Sequence, residues 1–279
     1  MIQLNLFDLH IIASAQGFAC LARFEFDEAR SHFTKALDIR PEYTEAQRGI
    51  NDVVYWQKAI EGIGGDTSPA SVGHLWRMFC GFDFLESQHH RNLRQHLLKF
   101  LATLLPDHPS FYDPPDLCHG YLHLLRGDYQ RAEANLRLLV EHYPDTALLH
   151  LFLAEALWQQ GRGEPAGPQY ARALLLDPAA CENRKISNYP LMEIITEYGA
   201  DQAPIYGFFK GVLPLVKLPG RLLPDTSANM LYETMRKAEQ ARRRRAHQQM
   251  ISHRKELQRA NKTVFGDYLD YVRGSIGPD

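Results

Sequence analysis

Residues 116–145, DLCHGYLHLLRGDYQRAEANLRLLVEHYPD, and residues 147–178, ALLHLFLAEALWQQGRGEPAGPQYARALLLDP, decide the fold. They align without gaps at an offset of 34: Gly120 with Ala154, Gly127 with Gly161, Ala132 with Ala166, Leu139 with Ala173 and Pro144 with Pro178. In each stretch apolar residues recur at helical spacing on both sides of a glycine, and a proline follows the second run. Each therefore reads as two amphipathic helices joined by a glycine turn. Small residues at Gly120 and Ala132 let the paired helices approach closely, and Pro144 and Pro178 stop the second helix.

A third copy lies near the N-terminus. GFACLARFEFDEARSHFTKALDIRP carries Gly17, Ala29, Phe33, Ala36 and Pro41 in the same order, with Phe24 where the turn glycine should stand. This pattern resembles the tetratricopeptide repeat, whose period is 34 residues and which ends in A-x3-F…P. The resemblance implies an all-α fold: a right-handed solenoid of helical hairpins with about five repeats. Clear repeats are expected over 9–44, 113–146 and 147–180. Two degenerate hairpins fit 45–112, where 44–62 reads as a helix, GIGGDTSP interrupts it, and 70–105 supplies more helical text. The solenoid spans 9–200 in this reading, and Tyr121, Leu124, Glu155, Trp158 and Gln159 line its concave face. Tyr121 and Leu124 equally suit the core between repeats. Some relatives grip a C-terminal carboxylate with Lys and Arg on these helices, but HIIASAQGF and ALLHLFLAEAL carry neither.

Composition sets the wider frame. A chain of 279 residues with 45% apolar and 23% charged residues has the balance of a globular protein. No apolar run nears the roughly 20 residues that span a bilayer, and the N-terminus lacks the features of a secretory signal, so a cytoplasmic protein without a membrane role is expected. Cys20, Cys80, Cys118 and Cys181 form no CxxC pair and read as reduced, buried thiols. Catalytic signatures are missing: there is no P-loop, no GxGxxG after a strand, no HExxH and no GxSxG. His119 and His123 stand four apart, but the repeat register assigns both to the helix core. His89, His90 and His96 read as a solvated face. No catalytic residue, metal site or cofactor is expected.

Beyond the repeats the text changes. Residues 201–226 include APIYGFFKGVLPLVKLPGRLLPD, whose Pro214, Pro219 and Pro224 favour extended turns. Phe208, Phe209, Leu213, Val216 and their apolar neighbours suit a strap that covers the solenoid's open end. Residues 227–279 read as a charged helix and tail. Residues 236–279 hold 11 Lys/Arg against 5 Asp/Glu, whereas the rest of the chain carries a net −8. Arg242, Arg243, Arg244, Arg245, Arg254 and Lys255 would attract nucleic-acid phosphates or an acidic protein, or simply solvate a helix that packs through Met235, Met250, Ile251 and Leu257. No aromatic interleaves the arginines, so any DNA contact would be to the backbone.

Counting back from Gly17, the first helix starts near Leu9 with Asp8 as its N-cap. Residues 1–8 then form a tail. Within it, Gln3, Leu4, Asn5, Leu6 and Phe7 resemble the peptide Gln-Leu-(Ser or Asp)-Leu-Phe, by which bacterial polymerases and repair factors bind the replicative sliding clamp. That resemblance implies an apolar pocket filled by Leu4, Leu6 and Phe7, with Gln3 fixing the register. The alternative is a structural cap folded over the first hairpin. The functional expectation is a non-catalytic protein–protein scaffold or adaptor with a partner in its groove, linked to DNA maintenance or genome defence through the clamp-like peptide. The alternative is a nucleic-acid binder acting through the basic C-terminal helix, with the repeats as a partner or dimerisation platform.

Overall fold

The computed structural model describes residues 8–65, 68–182, 184–219 and 222–275. The chain is all-α: fifteen helices and one pair of two-residue strands are found among the described residues. No helix there is long and apolar enough to cross a membrane. The chain divides into two compact units, Met1–Arg126 and Gly127–Asp279. The division falls inside the repeat expected over 113–146.

The first unit holds α1 (Leu9–Ala22), α2 (Phe26–Ile39), α3 (Thr44–Glu61), α4 (Pro69–Gly81), α5 (Gln88–Leu104), β1 (Tyr112–Asp113), β2 (Leu117–Cys118) and α6 (His119–Leu125). Helix α1 starts at Leu9, as the repeat register requires, although Asp8 makes no side-chain cap bond. Helices α1 and α2 pack as a hairpin. The Phe33 ring on α2 explains the glycines opposite it: a Cβ at Gly17 on α1 would come within 2.7 Å of the ring, and one at Gly49 on α3 within 2.4 Å. Only glycine lets three backbones close around that ring.

Residues 45–112 hold three helices rather than two hairpins. Seven residues after Gly49, where a turn would fall, stands Trp56, which is fully buried, and α3 runs straight through it. Ser68 and Ser87 cap α4 and α5 by accepting from the Ser71 and His90 amides. Helix α5 then returns to pack on α1, with Phe24 against Phe100 and Phe18 stacked on His89. His90 is buried rather than solvated: its Nδ1 accepts from the Leu85 amide, and its Nε2 lies 3.2 Å from buried Asp52 Oδ2. Trp76 on α4 donates to buried Asp116 at 2.7 Å, tying the strand pair to the core.

The second unit holds α7 (Tyr129–His142), α8 (Ala147–Gln159), α9 (Gly163–Leu176), α10 (Pro178–Glu182), α11 (Tyr189–Tyr198), α12 (Ala203–Phe209), α13 (Ser227–Arg243), α14 (His247–Ala260) and α15 (Lys262–Ser275). Helix α8 is its axis, buried on every side from Ala147 to Leu157. Two features depart from the sequence reading. Residues 203–209 are helical, because Pro204 sits in the first turn, where a missing N–H breaks no bond. The C-terminal text is three helices, broken first at Arg244–Ala246, and α13 and α14 fold back on each other as a hairpin.

That hairpin shares its turn with the repeats. Phe24, Gly127, Gly161 and Arg245 are all left-handed, with φ of 63°, 79°, 74° and 57°. After three of them the same closing bond forms: Glu25 N–H to Cys20 C=O, Arg162 to Leu157 and Ala246 to Ala241. Seven residues before each turn stands a small residue, Gly17, Gly120, Ala154 or Ala238. Twelve after it stands a fully buried one, Ala36, Leu139, Ala173 or Leu257.

The proline-rich strap packs against α9, α13 and α15. Pro214 lies against Gly167 of α9, where a Cβ would approach it to 3.0 Å. The Tyr232 hydroxyl on α13 accepts from the Val216 amide and donates to the Val216 carbonyl. Phe208 and Phe209 meet Tyr271 of α15, and the Tyr206 hydroxyl donates to Asp267.

Candidate functional site

The second unit carries a cleft where α8, α9, α11 and the strap converge. Trp158 closes the last turn of α8, and Gly163 at the start of α9 gives its indole room: a Cβ there would come within 3.2 Å of the ring. Asn188 caps α11 by accepting from the Leu191 amide, which sets Tyr189 and Pro190 on the rim; Tyr189 is 71% exposed. Two adjoining hollows of 530 Å³ and 810 Å³ share Pro190 and Val212. The first is floored by Trp158, Gly167 and Pro214, and the second by Met192 and Ile194.

Its charges are at the edge. Glu197 accepts from Lys210 at 2.7 Å, and that ammonium also lies 4.8 Å from the Tyr198 ring centroid. The Lys210 hydrogen bond holds the Glu197 carboxyl below its ordinary range. Glu164 and Glu193 also line the cleft and take part in no ion pair among the described residues.

Of the five residues expected on a concave face, Trp158 lines this cleft. Gln159 is exposed beside it and donates to Ser187 Oγ at 2.7 Å. Glu155 has an internal task. It is buried, accepts from the Tyr170 hydroxyl at 2.6 Å and from the Ser187 amide at 2.9 Å, and so fastens the segment before α11 to α8 and α9. Burial first, and Glu155 second, push the Tyr170 hydroxyl far above its ordinary pKa. Tyr121 and Leu124 belong to α6 in the other unit, both half-buried, with Tyr121 edge-on to Trp76. Tyr189, Pro190 and Pro214 were not foreseen. Each proline reads as a helix interruption, and only the capping at Asn188 turns Pro190 into a rim residue.

Several of the basic residues are held by partners within the second unit. Glu239, fully buried, accepts from Arg242 at 2.7 Å and from Arg243 at 2.8 Å. Burial pushes its carboxyl up, but the two guanidinium hydrogen bonds outweigh that and hold it below the ordinary range. The Arg254 guanidinium lies 5.5 Å from the Tyr268 ring centroid. Arg244, Arg245 and Lys255 are exposed.

Gln3, Leu4, Leu6 and Phe7 lie outside the described residues. Among those described, no group of three or more His, Cys, Asp or Glu is gathered to hold a metal ion. Cys20, Cys118 and Cys181 are buried free thiols, while Cys80 is exposed. The sequence matches no family model and no curated protein.

Proposed function

We propose that the protein is a non-catalytic scaffold that holds an extended segment of another protein in the cleft at Trp158. The observation that carries this reading is the composition of that cleft. It is open, Trp158, Tyr189, Pro190 and Pro214 stand among its lining side chains, and the Glu164 and Glu193 carboxylates line it without an ion pair among the described residues. Aromatic- and proline-walled grooves suit extended, proline-containing peptides, whose conformational cost on binding is low. Glu164 and Glu193 select for Lys or Arg in such a peptide.

The finer reading is a tetratricopeptide-like solenoid acting as an adaptor in DNA maintenance or genome defence. It is supported by the 34-residue offset, by the shared turn and by the likeness of Gln3–Phe7 to a clamp-binding peptide. A cytoplasmic setting suits its buried thiols Cys20, Cys118 and Cys181.

Trp56 and Trp76 are buried in the other unit, so Trp158 emission reports the cleft. A proline-containing basic peptide is expected to shift that emission saturably, and Glu164→Lys plus Glu193→Lys to abolish the shift. A shift that an acidic peptide reproduces would overturn the charge selection. For the N-terminal peptide, Leu6→Ala plus Phe7→Ala is expected to abolish binding to a purified bacterial sliding clamp with Tm unchanged. An equal fall in Tm would mark the peptide as a structural cap.

A further inference from the structure

A second, smaller cleft of 380 Å³ lies between the strap and α13. Leu215, Val216 and Lys217 form one wall; Arg236, Glu239, Gln240, Arg243 and Arg244 form the other. We propose that this cleft binds a phosphate monoester carried on a compact apolar group.

Charge is the first argument. Four cations and one carboxylate line the cleft. The carboxylate, Glu239, is shared with a further guanidinium, Arg242, so it cannot cancel the charge of Arg243 as well. Arg236 is bound by Glu233 through both Nε and Nη2. Lys217 and Arg244 take part in no ion pair among the described residues. The surplus matches a dianion. It also sits in the basic part of a chain whose first 235 residues carry net negative charge.

Preorganisation is the second. The Nε hydrogen bonds of Arg236 to Glu233 and of Arg243 to Glu239 fix two planar guanidiniums before any ligand arrives. The opposite wall is equally fixed, because the Tyr232 hydroxyl holds both backbone groups of Val216. A planar fork held in place is suited to phosphate oxygens. Leu215 and Val216 supply an apolar surface beside it.

Size is the third. A 380 Å³ cleft is at the small end of ligand sites, and suits a compact group rather than a folded partner.

Calorimetric titration of the full chain at low salt, with phenyl phosphate as the probe, tests this. Saturable binding is expected, with inorganic phosphate weaker because it lacks the apolar group, and phenyl sulfate weaker because it is a monoanion. Lys217→Ala and Arg244→Ala each remove an exposed side chain, so folding should persist, and each should weaken binding roughly tenfold. Arg245→Ala and Lys255→Ala, outside the cleft, should leave it unchanged. No heat with phenyl phosphate, or an equal loss in all four variants, overturns the proposal. So does a DNA duplex that binds while phenyl phosphate does not.

Discussion

Phe24 and Arg245 hold the same left-handed conformation as Gly127 and Gly161, and each side chain makes that conformation costly. The two differ in what the side chain returns. The Arg245 side chain is exposed and makes no hydrogen bond or ion pair among the described residues, so Arg245→Gly should stabilise the second unit by about 0.5–1 kcal/mol. A denaturant midpoint that rises at constant slope would verify it. Phe24 is half-buried and packs on Phe26 and Phe100, so Phe24→Gly should lower the midpoint instead. Buried Asp52 faces His90 Nε2 at 3.2 Å. Asp52→Ala removes the carboxylate that faces that nitrogen and should cost about 1–3 kcal/mol, whereas Asp52→Asn keeps a polar group of the same size there and should cost less.

Helices α13 and α14 depend on Glu239 as a junction between Arg242, Arg243 and Tyr268. Its pKa is depressed in the folded protein, so the folded state binds fewer protons than the unfolded chain near that carboxylate's ordinary range. The stability it confers is therefore complete above about pH 4.3 and lost as pH falls through the folded value. Denaturant midpoints between about pH 5 and pH 3 should fall more steeply for the wild type than for Glu239→Gln. The strap depends on Tyr232. Tyr232→Phe leaves the Val216 N–H and C=O without their partner, and should cost about 1–3 kcal/mol in the same assay. At this scale the sequence was partly legible. The hairpins α1/α2 and α8/α9 were visible because small residues and a turn keep register with prolines. The α13/α14 hairpin was not, because Arg245, Met250 and Arg254 replace the glycine, alanine and aromatic that mark the pattern.

Two compact units, with Trp56 and Trp76 in the first and Trp158 in the second, should not melt as one. In a Trp158→Phe variant the remaining emission comes from Trp56 and Trp76 in the first unit, while far-ultraviolet circular dichroism sees every helix. Non-coincident transitions are expected; coincidence would mean that the units unfold together. Neither the boundary at Arg126–Gly127 nor the cleft at Trp158 could be anticipated from periodicity. The repeat runs through the boundary without a change of composition, and the cleft is made by segments far apart in sequence.

The all-α class, the start of α1 at Leu9, the turns at Gly127 and Gly161 and the helix stops at their prolines follow from the sequence alone. These are local matters: helical spacing, backbone freedom at one residue and a missing amide hydrogen. Tertiary structure decided what each side chain faces. It turned Glu155 inward to Tyr170 and Ser187, drew Arg242 and Arg243 onto Glu239, and left Trp158, Tyr189, Lys217 and Arg244 lining open clefts. A residue's spacing sets which side of its own helix it occupies. Whether that side meets solvent, a carboxylate or a neighbouring helix depends on chain tens of residues away, to which periodicity is blind.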